Sequence, residues 1–547
     1  MRRSPKLRQP IPTTHRCAVG APVLIACFAL CAPATLQAAP PKLTSFYPAG
    51  GERGKTTSVT AAGEFPNWPV DVEVDGDGLT LKPTEKKGVF EAVVDANART
   101  GVRMLRVFDK GGSSEFRPFV VGGLPEVGEA EPNDDSRKPQ IIEGSAVVNG
   151  KLQKGGDVDI FEVSLRKGQT LVAAVLANRV LASPMDPVMQ ICDADGFVLA
   201  QNDDERGIDP LLVFPAPRDG KYLVRLFAFP LTPNSTIGFS GADTYIYRLT
   251  ATTGGFLDHA LPMSSRREKT DVELFGWNLP DGSAAGTSTG GDRPQVEVTA
   301  NGVSDSLLVP VVEHELIVAA ANASRNEPQD APLPCTISGR IEDLRDEDGF
   351  RFAVKKGEQI ELQVESFALG YPLDPHLSVW SDGKMLKESD DTSRSVRDTS
   401  LVVAAPADGH LVAVVKDTYG FGGFRHVYRI VAKRAAPDYR LTTPGALSVA
   451  AGKSGELEVA IERLHKFAKG VSFEVSGAPE GVTVEAPQVD GKAKSVKIKI
   501  TATDKAQPGH AILRIRGRSD DEAKLERTAR YAAGSRKLDA IRLTITE

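Results

Sequence analysis

Gly150-Lys151-Leu152, then Asp157-Val158-Asp159-Ile160-Phe161-Glu162-Val163-Ser164-Leu165, then Lys167-Gly168-Gln169 is the stretch that decides how the chain is read. Phe161, Val163 and Leu165 alternate with Glu162 and Ser164. A period of two puts one face of a strand in a core and the other in water. The stretch returns 189 residues later as Gly339-Arg340-Ile341, Asp346-Glu347-Asp348-Gly349-Phe350-Arg351-Phe352 and Lys356-Gly357-Glu358. Further anchors keep nearly the same offset. Pro184-Met185-Asp186-Pro187 answers Pro372-Leu373-Asp374-Pro375, Asp203-Asp204 answers Asp390-Asp391, and Tyr247-Arg248-Leu249 answers Tyr428-Arg429-Ile430. Ordered anchors at one offset are the mark of an internal repeat.

A weaker pair flanks these copies. Tyr47-Pro48 through Gly63 resembles Leu261-Pro262 through Gly276. The chain therefore divides into 39–124, 125–253, 254–325, 326–436 and 437–547, in the order A-B-A′-B′ followed by an unmatched tail. These are called the first to fifth modules below. Alternation at Tyr222, Val224 and Leu226, at Leu457, Val459 and Ile461, and at Val496, Ile498 and Ile500 extends the pattern to every part. With 51 Gly and 37 Pro to supply turns, the expectation is an all-β chain of tandem β-sandwich domains, jelly-roll-like and immunoglobulin-like. The charged segment 520–533 is expected to be a loop or short helix.

Residues 1–38 have the composition of a secretory signal. Arg2, Arg3, Lys6, Arg8 and Arg16 precede an apolar run from Ala18 to Leu30, and Leu36-Gln37-Ala38 suits cleavage. Leu24-Ile25-Ala26-Cys27 also resembles a lipoprotein box, and an uncleaved anchor is the alternative. Loss of 1–38 takes the net charge from −6 to −11 and leaves two cysteines, Cys192 and Cys335, too few for a disulfide framework. An acidic chain of this kind argues against a nucleic-acid partner. No later stretch is long and apolar enough to be a membrane span.

The B modules resemble the bacterial pre-peptidase C-terminal domain. The residues that carry the likeness are Glu129-Ala130-Glu131-Pro132-Asn133-Asp134-Asp135, Asp157-Val158-Asp159-Ile160-Phe161, Asp186-Pro187, Asp193-Ala194-Asp195-Gly196, Asn202-Asp203-Asp204 and Ala216-Pro217-Arg218-Asp219-Gly220-Lys221-Tyr222. They cover roughly 129–253 and 326–434. The resemblance implies a jelly-roll-like sandwich that is not itself catalytic. The A modules resemble immunoglobulin-type IPT/TIG domains, and the tail another immunoglobulin-like surface domain. The arrangement is similar to that of large secreted planctomycete-type proteins.

Glu129, Glu131 and Asn133 share one side of an extended segment, because Pro132 disfavours the helical region at Glu131. Asp157 and Asp159 form a second i, i+2 pair at a strand start. Five hard oxygen donors on two segments suit Ca²⁺, whose coordination is loose and oxygen-rich. The resemblance implies the same ion, since the acidic linker of related domains binds calcium. In the second copy Arg325 is expected to replace Glu129 and Gln329 to replace Asn133, with Glu327, Asp346 and Asp348 retained. A cation there would neutralise the cluster without metal. Asp203, Asp204, Asp209, Asp390, Asp391 and Asp398 are read as turn residues.

No catalytic constellation emerges. Gly286-Thr287-Ser288-Thr289-Gly290 is read as a linker, Glu313-His314-Glu315 as a strand end, and Trp68, Trp277 and Trp380 as core anchors. The expectation is a secreted, non-enzymatic protein of the cell envelope or exterior, binding an extracellular protein or polysaccharide. The alternative is an accessory or substrate-targeting component of a secreted peptidase or other hydrolase.

Overall fold

The computed structural model describes residues 39–547 except 233–237, 284, 290–294, 305, 394–395 and 535, with backbone alone at 285 and 287–289. The expected signal at 1–38 lies outside the described residues. Strand accounts for 56% of the chain and helix for 1%. The alternation that predicted strands is the alternation of burial: Phe161, Val163 and Leu165 are buried, Glu162 half-buried and Ser164 exposed.

The second module is a sandwich of two five-stranded sheets. In spatial order one holds Glu126–Gly128, Ala146–Lys151, Ile246–Thr252, Thr170–Leu176 and Leu211–Pro215. The other holds Gln140–Ile141, Asp159–Leu165, Gly220–Pro230, Met185–Asp193 and Val198–Asn202. Side chains from both sheets, among them Val148, Phe161, Val175, Ile191, Val224 and Leu249, fill one core. The fourth module repeats this order strand for strand, from Glu315–Val318 through Val427–Arg434. Its first strand, Glu315–Val318, pairs in parallel with Cys335–Arg340. The sheet of the fourth module therefore begins at 315, not at the 326 read from the sequence.

The tail, unmatched in sequence, repeats the first module in topology. The first module orders Lys42–Tyr47, Thr56–Glu64, Val89–Val94 and Leu79–Pro83 against Gly50–Glu52, Arg117–Gly122, Gly101–Asp109 and Asp71–Asp75. The fifth orders Asp438–Thr442, Ser454–Leu464, Ser495–Ala502 and Val482–Glu485 against Ala446–Ala450, Ile541–Thr546, Gly509–Ser519 and Val471–Ser476. Segment 520–533 is not helical; it is a turn followed by the short strands Glu526–Thr528 and Tyr531–Ala533.

The modules are not beads on a thread, for residues 38–547 form one compact unit. Met104 and Phe116 of the first module join the core of the fifth. Arg106, 1% exposed, gives Nη1–H to the Gly445 carbonyl at 2.9 Å and pairs with Glu73, which also holds Arg542. Asp258, where the third module begins, and Glu205 of the second each pair with Arg425 of the fourth at 2.8 Å. Buried ion pairs of this kind cost several kcal/mol to break from one side, which favours a fixed relative placement.

Candidate metal centre

The centre forms where the chain enters the second module. Glu129 follows the edge strand Glu126–Gly128, and its N–H donates to the Asn149 carbonyl at 2.9 Å. One Glu129 oxygen accepts from the Lys151 N–H at 2.8 Å. Farther on, the Ile160 N–H donates to the Asn133 carbonyl at 3.2 Å and the Val158 N–H to Asp134 Oδ1 at 3.0 Å. The linker is thus stitched along the ends of two strands, one from each sheet. That brings the predicted residues together.

Two carboxylate triads result, Glu129 with Glu131 and Asp159, and Glu131 with Asp134 and Asp157. Within each, one oxygen per residue lies within 4.8 Å of the others. Ligands on opposite sides of Ca²⁺ stand about 4.6–5.2 Å apart, twice the usual Ca–O distance. Glu131 belongs to both triads. Asp134 was not among the residues expected to bind; it is exposed, and the fold brings its carboxylate near Glu131 and Asp157.

Glu131 and Asp134 are exposed and Glu129 half-buried, while the inner residues of the cluster are buried. Asp157 and Asp159 are 0% exposed and Asn133 is 1% exposed. Asp157 Oδ2 accepts from the Gln153 N–H, but Asp157 Oδ1 is buried and has no hydrogen-bond partner. The Asn133 side-chain amide lies beside the carboxylates of Asp159 and Glu131. With its nitrogen turned to them, the amide donates to Asp159 Oδ1 and Glu131 Oε2, each at 3.2 Å. Burial, and then the contact between Glu129 and Asp159, pushes the Asp159 carboxyl far above its ordinary range. Burial likewise raises Glu129 and Asp157. A divalent cation at this place would supply the charge that protons otherwise provide.

Tyr247 orients the deepest carboxylate. Its hydroxyl donates to Asp159 Oδ2 at 2.5 Å, leaving the other oxygen free for the triad. Gly150 pairs with Tyr247 across the sheet, and a Cβ on Gly150 would stand 2.1 Å from the tyrosine ring. The repeated Gly is therefore the space the ring needs. The fourth module keeps this unit: Gly339 pairs with Tyr428, whose hydroxyl donates to Asp348 Oδ2 at 2.5 Å.

The rest of the site differs in the fourth module, and the expected correspondence fails. The Ala319 N–H donates to the Ser338 carbonyl as Glu129 does to Asn149, so Ala319 is the counterpart of Glu129. Gln329 accepts from Ala320 and donates to Val318 as Gln140 does with Ala130 and Gly128, so Gln329 matches Gln140, not Asn133. Ala319-Ala320-Ala321-Asn322-Ala323-Ser324 brings no carboxylate. Arg325 stacks on Trp380 with its guanidinium 4.6 Å from the ring centre and pairs with no cluster carboxylate. Asp348, buried and near Asp346 and Glu342, is pushed up to about 7.

No family model matches the chain. A probable subtilase-type serine protease of Deinococcus radiodurans is 28% identical over 218 residues. The match covers 32% of this chain and 29% of that protein, so this chain spans less than a third of its relative's length. Among solved structures, a periplasmic inhibitor of g-type lysozyme from Aeromonas hydrophila aligns with 22% of this chain and 98% of its own at 13% identity and TM-score 0.15. The surface-layer protein SbsC, domains 1–6, aligns with 90% of this chain and 54% of its own at 12% identity and TM-score 0.13. Neither structural likeness bears on fold or function.

The other singled-out residues have structural partners. Asp209 accepts from the N–H groups of Ala177, Asn178 and Arg179, and Asp398 from those of Ser366, Phe367 and Ala368. Ser288 lies on the strand Ala285–Thr289, paired with Lys269–Trp277, rather than in a linker loop; its side chain lies outside the described residues. Trp68 packs in the first core, while Trp277 meets Phe256 and Phe424 between modules. Cys192 and Cys335 are buried free thiols. Among the described residues no helix is long and apolar enough to cross a membrane.

Proposed function

We propose that this is a secreted, non-enzymatic protein of the cell envelope or exterior that presents tandem β-sandwiches as a binding scaffold, with Ca²⁺ fastening the entry linker of its second module. The observation that carries the calcium reading is the buried Asp157 oxygen without a partner, beside triads whose oxygens lie within 4.8 Å of one another. Glu129, Glu131, Asn133, Asp134, Asp157 and Asp159 are the ligand set. The ion would cross-link linker and sandwich, stabilise the folded state by mass action and protect residues 126–135 from proteases. Secretion rests on the composition of residues 1–38.

Calorimetry of residues 39–547 in millimolar calcium and in chelator tests this reading, alongside limited proteolysis. The expected result is a higher melting temperature in calcium and cleavage near 130–135 only in chelator. Identical melting and identical cleavage would refute it.

The partial likeness to a subtilase-type protease supports a second reading, in which the chain is an accessory or targeting component of a separate secreted hydrolase. Pull-down on insoluble collagen, cellulose and peptidoglycan distinguishes the two. Retention on one substrate favours targeting; retention on none favours a structural scaffold.

A further inference from the structure

The first, third and fifth modules meet around a cleft of about 860 Å³. Interfaces between domains are common places for ligand sites, and this volume falls in the usual range. Five cations line it: Arg99 and Arg103 from the first module, and Arg530, Arg536 and Lys537 from the fifth. In a chain of net charge −6 such a concentration is unusual. Three carboxylates share the lining, Asp75, Asp77 and Asp95.

The charges do not cancel pairwise. Asp75 is taken by Arg536. Among the described residues Arg103, Arg530 and Lys537 make no ion pair, and neither do Asp77 and Asp95. Arg103 is 6% exposed, yet its guanidinium finds only carbonyl oxygens: Nε–H donates to Asp77 at 3.1 Å and Nη2–H to Arg99 at 2.9 Å. Burial, and then Arg536, lower its proton affinity, while Glu297, Asp75 and Asp77 oppose them from a distance without pairing with it; a buried charge with no direct partner is costly. An arriving oxyanion would relieve that cost, and a guanidinium matches the two oxygens of a carboxylate.

The acids narrow the ligand further. Asp77 and Asp95 offer acceptor oxygens beside the cations, which suits a ligand that carries hydroxyl donors as well as an anion. The described side chains of the lining include no aromatic ring for an apolar ligand to stack on. We propose that this cleft binds an acidic oligosaccharide, with a uronate carboxylate on Arg103 and the outer cations and with sugar hydroxyls on Asp77 and Asp95. The site is made by other modules than the calcium centre and stands apart from it.

Titration calorimetry of residues 39–547 at low salt tests it, with trigalacturonate, neutral galactotriose, triglutamate and inorganic phosphate as probes. Trigalacturonate is expected to bind saturably and more tightly than the other three, equally in calcium and in chelator. The double variant Arg530→Ala/Lys537→Ala changes exposed side chains only and should weaken that binding by about ten-fold or more, the effect of losing charged contacts. Asp77→Asn should weaken trigalacturonate without weakening phosphate. No saturable trigalacturonate binding would overturn the proposal. So would binding undiminished in the double variant, or phosphate or triglutamate binding as tightly as the sugar acid. The calcium response of the same preparation, measured separately, distinguishes failure of this site from failure of the calcium centre.

Discussion

The second and fourth modules share a strand order, a core and a buried Gly-Tyr-Asp unit, yet the entry linker gives them different chemistry. In the second module Glu129, Glu131 and Asp134 are laid against Asp157 and Asp159. In the fourth, Ala319 stands where Glu129 does, Asp348 accepts from the Tyr428 hydroxyl, and Asp346 accepts from the N–H groups of Glu342 and Glu347. The inner aspartate and tyrosine belong to the sandwich, and the linker decides whether further carboxylates gather around them. Burial raises the Asp348 carboxyl in the fourth module, whereas the second gathers several carboxylates around the same place.

Substitutions that equalise the two modules sharpen the comparison. Asp159→Asn should have the largest effect: it removes the calcium-induced stabilisation, about 2.7 kcal/mol at a hundred-fold excess over Kd, while leaving the chelated protein no less stable. Calorimetry with and without calcium reads both halves. Gly150→Ala drives a Cβ into the Tyr247 ring and should cost about 1–3 kcal/mol, with a weakened calcium response as Asp159 loses its orienting hydroxyl.

Asp348→Asn should act in the opposite direction. The folded-state affinity of Asp348 for its proton is raised to about 7, so the folded chain holds a proton that the unfolded chain releases. Its contribution is fully present below the ordinary Asp range near 4 and is lost as pH rises through about 7. The Asn variant should therefore match the parent at pH 4 and exceed it at pH 8, read from denaturant unfolding at both pH values. Arg325→Ala should have the smallest effect, about 0.5–1 kcal/mol from the lost stacking on Trp380, with no change in that pH profile. A changed profile would mean that Arg325 does neutralise the cluster.

Much of this was legible in the chain. Alternation at Phe161, Val163 and Leu165 marks the strand because one face is buried, and the repeated Asp pairs mark the same place in both copies. The correspondence of Arg325 with Glu129 was misread because Glu-Pro occurs in both linkers; strand pairing, which the sequence does not display, shows Glu327-Pro328 to be unrelated to Glu131-Pro132. Tyr247 lies 88 residues from Asp159 and becomes its partner only through sheet register. The fifth module keeps the topology of the first with different side chains, since inward-facing apolar positions tolerate exchange when volume and pattern are preserved. The contacts of Arg106 and Arg425 between modules follow from packing, which no local pattern announces.

The central claim is that one linker makes a cation site and the other does not. Calcium titration calorimetry of residues 39–547 and of Glu131→Gln, which alters the carboxylate common to both triads, tests it most directly. Saturable binding in the parent, lost in Glu131→Gln and retained in Asp348→Asn, is the predicted result. No binding in the parent, or binding that survives Glu131→Gln and disappears in Asp348→Asn, would contradict it.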